Sequence, residues 1–177
     1  NVSFLILGNV CTRNCFFFFF KKGEPKKISG GEPRAIAAAV KKLGLRYVVI
    51  TSVTRDDLYD GGAGHYKEVI MAVKLISPLT AIEVLSPDFS GREDAIKSIA
   101  GCGVDVFSHN METIERLYPE IRPLSDYSRS LKVLAVAASR KLDCFIYDVA
   151  AAEERLPATQ VEELEYLRGL GFKVNRH

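Results

Sequence analysis

Two cysteines and five phenylalanines share one short stretch of this sequence, residues 11–20, which reads CTRNCFFFFF. Cys11 and Cys15 stand four residues apart, directly after an apolar run. Thiolates at close spacing on a loop are typical ligands of metals and iron–sulfur clusters. Spacing alone leaves three interpretations open, which are coincidence, a buried thiol pair and half of a metal site. The phenylalanine run indicates either burial in a core or a damaged site.

Apolar runs alternate with helical periods along the rest of the chain. The β-rich apolar runs predict strands at residues 2–7, 47–50, 81–85, 104–107 and 144–149, and another beginning at 172–174. Amphipathic periods predict helices at residues 32–43, 65–76, 92–100, 112–118, 127–140 and 159–170. Strand–loop–helix repeats with continuous apolar strands are typical of a parallel sheet covered by helices.

The length of the chain decides between a closed and an open barrel. A closed (β/α)₈ barrel typically takes ~250 residues, whereas this chain has 177. We therefore predict an α/β fold, a partial (β/α) barrel with about five or six parallel strands. In such a fold the loops that follow the strands form sites at the carboxyl edge of the sheet.

Composition narrows the class of protein. Hydrophobic residues make up 47% and charged residues 26%, as in ordinary globular domains. A formal net charge of +2 does not indicate a nucleic-acid partner, and no apolar run reaches the ~20 residues that span a bilayer. The four cysteines are too sparse for a disulfide scaffold, which indicates a reducing compartment such as the cytoplasm or an organelle matrix. We expect Cys102 and Cys144 to be buried thiols.

Polar residues follow the second predicted strand. They include Thr51, Ser52 and Asp56, with Asp57 beside it. Taken by residue type alone, these side chains are explained better by helix capping and loop solvation than by ligand binding. His65 heads the next predicted helix, where we expect a capping or surface residue.

A second polar group follows the fourth predicted strand and comprises Asn110, Glu112 and Arg122. An arginine before a proline, as Arg122 is, more often lies in a surface loop than in a site. His109 is explained by a hydrogen bond to loop backbone. The lysine pairs at residues 21–22 and 26–27 are explained most simply as solvated surface.

Several ordered blocks of the sequence resemble the lipoyl synthases, a branch of the radical S-adenosylmethionine (radical SAM) enzymes. These blocks read ILGNVCTRNC with KKGEP, VVITSVTRDDLYDGGAGHY, IEVLSPDF, HNMETIERLYPEIRP and DYSRSL. The resemblance covers residues 3–140, and residues 141–177 diverge from the family. We treat residues 1–177 as one radical-SAM-like domain.

The resemblance implies a specific chemistry. In that family three cysteines hold a [4Fe–4S] cluster that binds S-adenosylmethionine, and an electron donor protein supplies the reducing electron. The resulting radical attacks C6 and C8 of an octanoyl group on a lipoyl-carrier protein or domain, and a second cluster supplies two sulfurs. Cys11 and Cys15 match the first two ligands, whereas Phe18 occupies the position of the third and cannot bind iron.

The resemblance also assigns the other candidate residues. Thr51, Ser52 and Asp56 match positions that contact S-adenosylmethionine. Asn110 and Glu112 match positions that hold its ribose and amino groups. Arg122 matches a position that pairs with its carboxylate, a role that suits a planar bidentate donor.

The predicted function is that of a lipoyl synthase, a radical SAM sulfurtransferase. The family's second cluster uses three cysteines upstream of the matched region and a serine downstream, so we expect that this chain alone does not make lipoate. The alternative is a catalytically inactive relative that binds S-adenosylmethionine or the carrier protein. A third possibility, an unrelated barrel enzyme with a lysine or carboxylate base, has no support in the loops.

Overall fold

The computed structural model describes residues 2–13, 21–148 and 173–176. Its strands are β1 (Val2–Ile6), β2 (Val10–Cys11), β3 (Lys21–Lys22), β4 (Tyr47–Ser52), β5 (Ala81–Ser86), β6 (Val106–Asn110), β7 (Asp143–Asp148) and β8 (Lys173–Arg176). Its α-helices are α1 (Glu32–Leu43), α2 (Ala63–Ile76), α3 (Glu93–Ala100), α4 (Tyr118–Ile121) and α5 (Tyr127–Ala138).

Six of these strands form one parallel sheet in the order β1-β4-β5-β6-β7-β8. The order follows the chain, so each long crossover returns to the adjacent position, as in a (β/α) barrel. The short β2 and β3 pair with each other, also in parallel. The predicted fold class, an α/β partial barrel with about five or six parallel strands, is confirmed.

The hydrophobic core lies between the sheet and its helices. Alternate strand residues such as Val48, Ile50, Ile82 and Val84 are fully buried in this core. Because successive side chains of a strand point to opposite faces, the residues between them belong to the other, concave face. Thr51 and Leu85 are on that face, near the carboxyl ends of β4 and β5.

The contact between the end of β1 and the start of α2 requires a glycine. Gly62 has φ 92°, in the left-handed region, and a Cβ there would collide with the Leu7 side chain. Leu7 itself lies at the end of β1 with φ 66°. The start of α2 is therefore packed directly against the point where the chain leaves β1 for the cysteines.

Some element bounds differ from the prediction. The helix predicted at 112–118 is wrong: Glu112 has φ 66°, and the segment forms a 3₁₀ turn at Glu115–Leu117 followed by α4. Pro119 explains the shift, since a proline favours the first turn of a helix. β4 and β6 extend further than predicted, to Ser52 and Asn110.

Two other predictions concern the end of the chain. The strand expected at residues 172–174 is present as β8, Lys173–Arg176, whereas the helix expected at 159–170 lies outside the described residues. Within the described ranges, no helix is both long enough and apolar enough to cross a membrane.

Candidate functional site

A cavity of about 210 Å³ lies at the carboxyl ends of β1, β4, β5 and β6. Its polar lining includes Cys11, Thr51, Ser52, Asn110 and Arg122, and its apolar lining includes Leu5 and Leu85. The structure thus brings four of the six predicted cofactor-binding residues to one place. The other two, Asp56 and Glu112, are outside this lining.

The strand end that carries Thr51 and Ser52 is fixed by a buried tyrosine. The Tyr66 hydroxyl donates to Ser52 Oγ at 3.1 Å and to the Leu85 carbonyl at 3.1 Å. Complete burial raises the pKa of Tyr66 well above its usual range, so its hydroxyl stays protonated and keeps donating. These bonds tie α2 to the ends of β4 and β5 beside the cavity.

Arg122 is buried rather than a surface loop residue. Its Nη1 donates to the Asn110 carbonyl at 2.6 Å and to the Tyr118 hydroxyl at 3.2 Å. Its guanidinium carbon also lies 5.4 Å from the centre of the Tyr118 ring. Arg122 therefore holds the α4 segment against the end of β6 and brings a permanent positive charge to the cavity.

Three polar atoms of cavity-lining residues are buried without a hydrogen-bond partner among the described residues. They are Ser86 Oγ, Asn110 Oδ1 and Arg122 Nε. Buried polar atoms in folded proteins are nearly always paired, and an unpaired one calls for an explanation. These unpaired atoms are consistent with a polar ligand that offers both donors and acceptors in the adjacent cavity.

A buried ion-pair network lies beside the cavity and was missed by the sequence analysis. The Arg13 guanidinium donates to Asp56 at 2.6 and 2.8 Å and to Asp88 at 2.7 and 2.8 Å. Only 4% of the Arg13 side chain is exposed, and 1% of that of Asp88. The available signal was an arginine placed between two cysteines, with acidic residues after two adjacent strands.

Arg13 and Asp88 of this network are ionised at neutral pH. Burial would lower the pKa of Arg13, but the hydrogen bonds and charges of Asp56 and Asp88 outweigh it and raise that pKa. Burial would raise the pKa of Asp88, and Arg13 outweighs it and lowers that pKa. The Asp56 carboxylate, predicted to contact the cofactor, also accepts from Ser90 Oγ at 3.1 Å.

Two further residues are buried, His109 within β6 and Glu112 just after it. His109 is fully buried, and its Nδ1 is 2.8 Å from the Ser86 carbonyl. Burial and the nearby charge of Arg122 lower the pKa of His109 to about 4, so its ring is neutral at physiological pH. Glu112 is 1% exposed, where the chain turns away from β6.

The expectation that His65 caps a helix or lies on the surface is wrong. It is 5% exposed, and its Nε2 lies 2.7 Å from Glu32 Oε2. The same Glu32 oxygen accepts from the Leu7 amide at 3.1 Å. The tight packing of α1 against α2 explains the burial, because both helices meet at the end of β1.

Of the three cysteines in the described residues, Cys11 lines the cavity, whereas Cys102 and Cys144 lie apart from it. Cys11 is partly exposed, lines the cavity and accepts the Arg13 amide hydrogen at Sγ, with N and S 3.4 Å apart. Cys15 and residues 16–20, which include Phe18, lie outside the described residues. Cys144 is buried as expected and Cys102 is half-buried, and burial raises the pKa of both thiols, that of Cys144 to about 11.

The donor set limits which cofactors the chain can hold. Among the described residues there is no group of three or more His, Cys, Asp or Glu that could bind a metal ion. In the sequence the third position of the C-x3-C-x2-C pattern is Phe18, and a phenyl ring provides no iron ligand. The chain therefore does not fit a three-cysteine cluster, whereas the unpaired polar atoms of the cavity do fit a zwitterionic ligand such as S-adenosylmethionine.

Sequence comparisons identify relatives of one kind. The chain is 52% identical over 168 residues to the lipoyl synthase of Caldicellulosiruptor saccharolyticus, covering 95% of this chain and 58% of that protein. It is 42% identical over 174 residues to the lipoyl synthase of Sulfolobus acidocaldarius, covering 97% and 59%. The chain thus spans somewhat more than half the length of these curated relatives.

Solved structures of other proteins share this fold. Methylornithine synthase aligns with a TM-score of 0.73 at 14% identity, covering 99% of this chain and 53% of that one. SuiB of Streptococcus suis, crystallised with S-adenosylmethionine, aligns with a TM-score of 0.73 at 14% identity, covering 99% and 40%. At this identity the likeness concerns the fold alone.

A match to a protein-family model assigns the chain to a superfamily. The model described as Radical SAM superfamily matches residues 5–150, which include the end of β1, the first cysteine and every residue of the cavity described above. Membership of this superfamily implies a [4Fe–4S] cluster and S-adenosylmethionine as cofactors, whereas in this chain Phe18 occupies the position of the third cluster thiolate. The match, together with the parallel sheet and the position of the cavity, shows that the chain belongs to the radical SAM superfamily.

Proposed function

We propose that this chain is the S-adenosylmethionine-binding core of a lipoyl synthase, a sulfurtransferase that inserts sulfur at C6 and C8 of a protein-bound octanoyl group. The observation that carries the proposal is the convergence of Thr51, Ser52, Asn110 and Arg122 on one cavity. These residues come from separate parts of the chain and were selected by resemblance to lipoyl synthases. Sequence identity of 42–52% to two lipoyl synthases supports the same substrate class.

Different cavity residues would bind different parts of S-adenosylmethionine. Arg122 offers a fixed cation for the carboxylate of the methionine moiety, and Asn110 offers an amide for the ribose or amino group. The hydroxyls of Thr51 and Ser52 add acceptors and donors at the end of β4. Leu5 and Leu85 exclude water from the apolar wall. When bound, S-adenosylmethionine is the source of the hydrogen-abstracting group in this superfamily.

Isothermal titration calorimetry of the purified chain with S-adenosylmethionine tests this proposal. We expect saturable heat with one site per chain. Arg122→Lys should weaken binding because an ammonium cannot reproduce the planar pair of donors. Absence of heat at millimolar ligand would remove S-adenosylmethionine from the proposal.

The proposed reaction requires two protein partners, an octanoylated lipoyl-carrier protein or domain and an electron donor protein. Lys26 and Lys27 are exposed beside the segment that carries the cysteines and offer positive charge to an acidic carrier. A carrier that binds there should dissociate more readily as salt rises and from the Lys26→Glu, Lys27→Glu double variant. We assign the chain to the cytoplasm, where the reducing conditions keep thiols free.

The second candidate function is that of a binding module. In this role the chain would bind S-adenosylmethionine or the carrier protein and catalyse no radical chemistry. Phe18 favours this second function, because it removes the third thiolate of the cluster loop. Anaerobic reconstitution with iron and sulfide distinguishes the two. Broad visible absorption with four irons per chain supports the enzyme, whereas iron-free protein that still binds S-adenosylmethionine supports the binding module.

A further inference from the structure

Residues 8–25, part of the segment between β1 and α1, carry both candidate cluster cysteines, and we call them the cysteine loop. The structure describes residues 8–13 and 21–25 of it. We propose that Arg13 is a positioning residue that fixes the first part of the cysteine loop, residues 8–13, over the cavity before any ligand binds. The proposal rests on the proposed function only for what the loop is positioned to hold.

The first step of the argument is the strength of the Arg13 contacts. Its guanidinium makes two hydrogen bonds to Asp56 and two to Asp88, all between 2.6 and 2.8 Å. Bidentate, charge-assisted bonds of this kind are among the strongest in proteins and fix orientation as well as position. Because the side chain is 4% exposed, water competes little for these donors.

The second step is the origin of the two carboxylates. Asp56 lies in the segment between β4 and α2, and Asp88 lies between β5 and the 3₁₀ turn at Phe89–Gly91. Arg13 therefore connects the loop after β1 to the loops after the next two strands of the sheet. Such a bridge holds the cysteine loop in register with the strand ends that line the cavity.

The neighbouring residue binds the same segment. The Thr12 amide donates to the Thr54 carbonyl at 3.1 Å, and Thr12 Oγ1 donates to that carbonyl at 3.0 Å. In return the Asp56 amide donates to Thr12 Oγ1 at 3.1 Å. Thr12 and Arg13 thus hold the same part of the loop. Thr12 does so through hydrogen bonds to the backbone, and Arg13 through ion pairs.

The base of the loop is closed by another buried arginine. Arg55 donates to the Leu7 carbonyl at 2.9 Å and to the Lys26 carbonyl at 3.2 Å, one on each side of the cysteine loop. It is 2% exposed and paired with Asp57 at 2.8 Å. Thr54, Arg55 and Asp56 therefore bind the cysteine loop at its entry, its exit and its first turn.

The last step connects this attachment to the thiol. The Arg13 amide donates to Cys11 Sγ, and Cys11 lines the cavity. The hydrogen bonds that hold Thr12 and Arg13 come from the segments that follow β4 and β5. Among the described residues, these contacts hold the Cys11 thiol at the cavity.

The test measures the ligand-free chain, so it is independent of whether S-adenosylmethionine binds. We compare Arg13→Met, Arg13→Lys and Thr12→Val with the parent chain. Val73→Ala is the matched control, because Val73 is fully buried near the far end of α2 and its loss lowers stability without touching the cysteine loop. The readouts are the alkylation rate of Cys11 by iodoacetamide, located by peptide mass spectrometry, and amide hydrogen exchange over residues 8–12.

We expect Arg13→Met and Thr12→Val each to raise both rates by about tenfold or more, since tenfold corresponds to the loss of only about 1.4 kcal/mol of attachment. Arg13→Lys should give an intermediate rate because it keeps the charge and loses the bidentate geometry. Val73→Ala should leave both rates at the parent value.

Two results would overturn the proposal. One is an unchanged Cys11 alkylation rate in both Arg13→Met and Thr12→Val. The other is an equal increase in Val73→Ala, which would show that the loop opens only when the whole fold loosens. Failure to bind S-adenosylmethionine with wild-type protection of Cys11 would instead refute the proposed function and leave this inference standing.

Discussion

Substitution of the Asn110 side chain should change the affinity for S-adenosylmethionine without lowering the stability of the fold. Its Oδ1 is buried without a hydrogen-bond partner among the described residues, at the edge of the cavity. Its backbone carbonyl, which accepts from Arg122, does not depend on the side chain. Asn110→Ala therefore removes the unpaired amide and leaves the known contacts of the main chain in place.

The expected effects have opposite signs. A buried polar atom without a partner costs about 1–3 kcal/mol, so its removal should leave the free energy of unfolding unchanged or higher. If S-adenosylmethionine supplies the missing partner, its loss removes about 0.5–1.5 kcal/mol of binding free energy, or about 2- to 10-fold in Kd. Calorimetry with S-adenosylmethionine and chemical denaturation measure the two quantities on the same preparation.

Ser108 on the same strand provides the control. It is fully buried, and its hydroxyl donates to Glu83 rather than lining the cavity. Ser108→Ala should lower the free energy of unfolding and leave the affinity for S-adenosylmethionine unchanged. The reasoning is refuted if Asn110→Ala lowers stability and keeps full affinity, because Asn110 would then be a structural residue.

Three other predictions follow from particular contacts. The pKa of Asp88 is lowered in the folded chain, so this residue stabilises the fold at pH values above 3.8, the ordinary pKa of an aspartate. The stabilisation is lost as the pH falls through the folded-state pKa. The free energy of unfolding should therefore fall less steeply with decreasing pH in Asp88→Asn than in the parent chain. Equal slopes for the two chains would contradict the low pKa of Asp88. Phe18→Cys should raise the iron bound after reconstitution, measured by iron analysis, because it restores the third thiolate; unchanged iron would show that more than one ligand is lacking. Glu32→Ala should lower the free energy of unfolding by about 1–3 kcal/mol, since the Leu7 amide and His65 lose their shared acceptor, and an unchanged denaturation midpoint would exclude that role.

The fold was predictable because its signal is local and repeated. Apolar runs such as those in β4 and β5 alternate with amphipathic helices, and this pattern specifies a parallel α/β sheet without knowledge of contacts. The helix expected at 112–118 failed because the positive φ of Glu112 and the proline at 119 act against the helical period. Local periodicity does not reveal such a backbone conformation.

The site was predictable only in part. Resemblance identified Thr51, Ser52, Asn110 and Arg122, whose convergence on one cavity depends on the order of the strands. It did not identify Arg13, since the partners of that residue lie 43 and 75 positions away in the sequence. Likewise, His65 was expected at the surface because its burial depends on the packing of α1 against α2. Contacts between distant segments are set by tertiary structure and leave no local pattern.

The central claim is that the cavity at the carboxyl ends of β1, β4, β5 and β6 holds S-adenosylmethionine. A crystal structure of the chain grown with S-adenosylmethionine tests it most directly. The account predicts electron density for the ligand in this cavity, with its carboxylate at Arg122 and a hydrogen bond to Asn110. Density for the ligand at another place, or an empty cavity at saturating ligand, would contradict it.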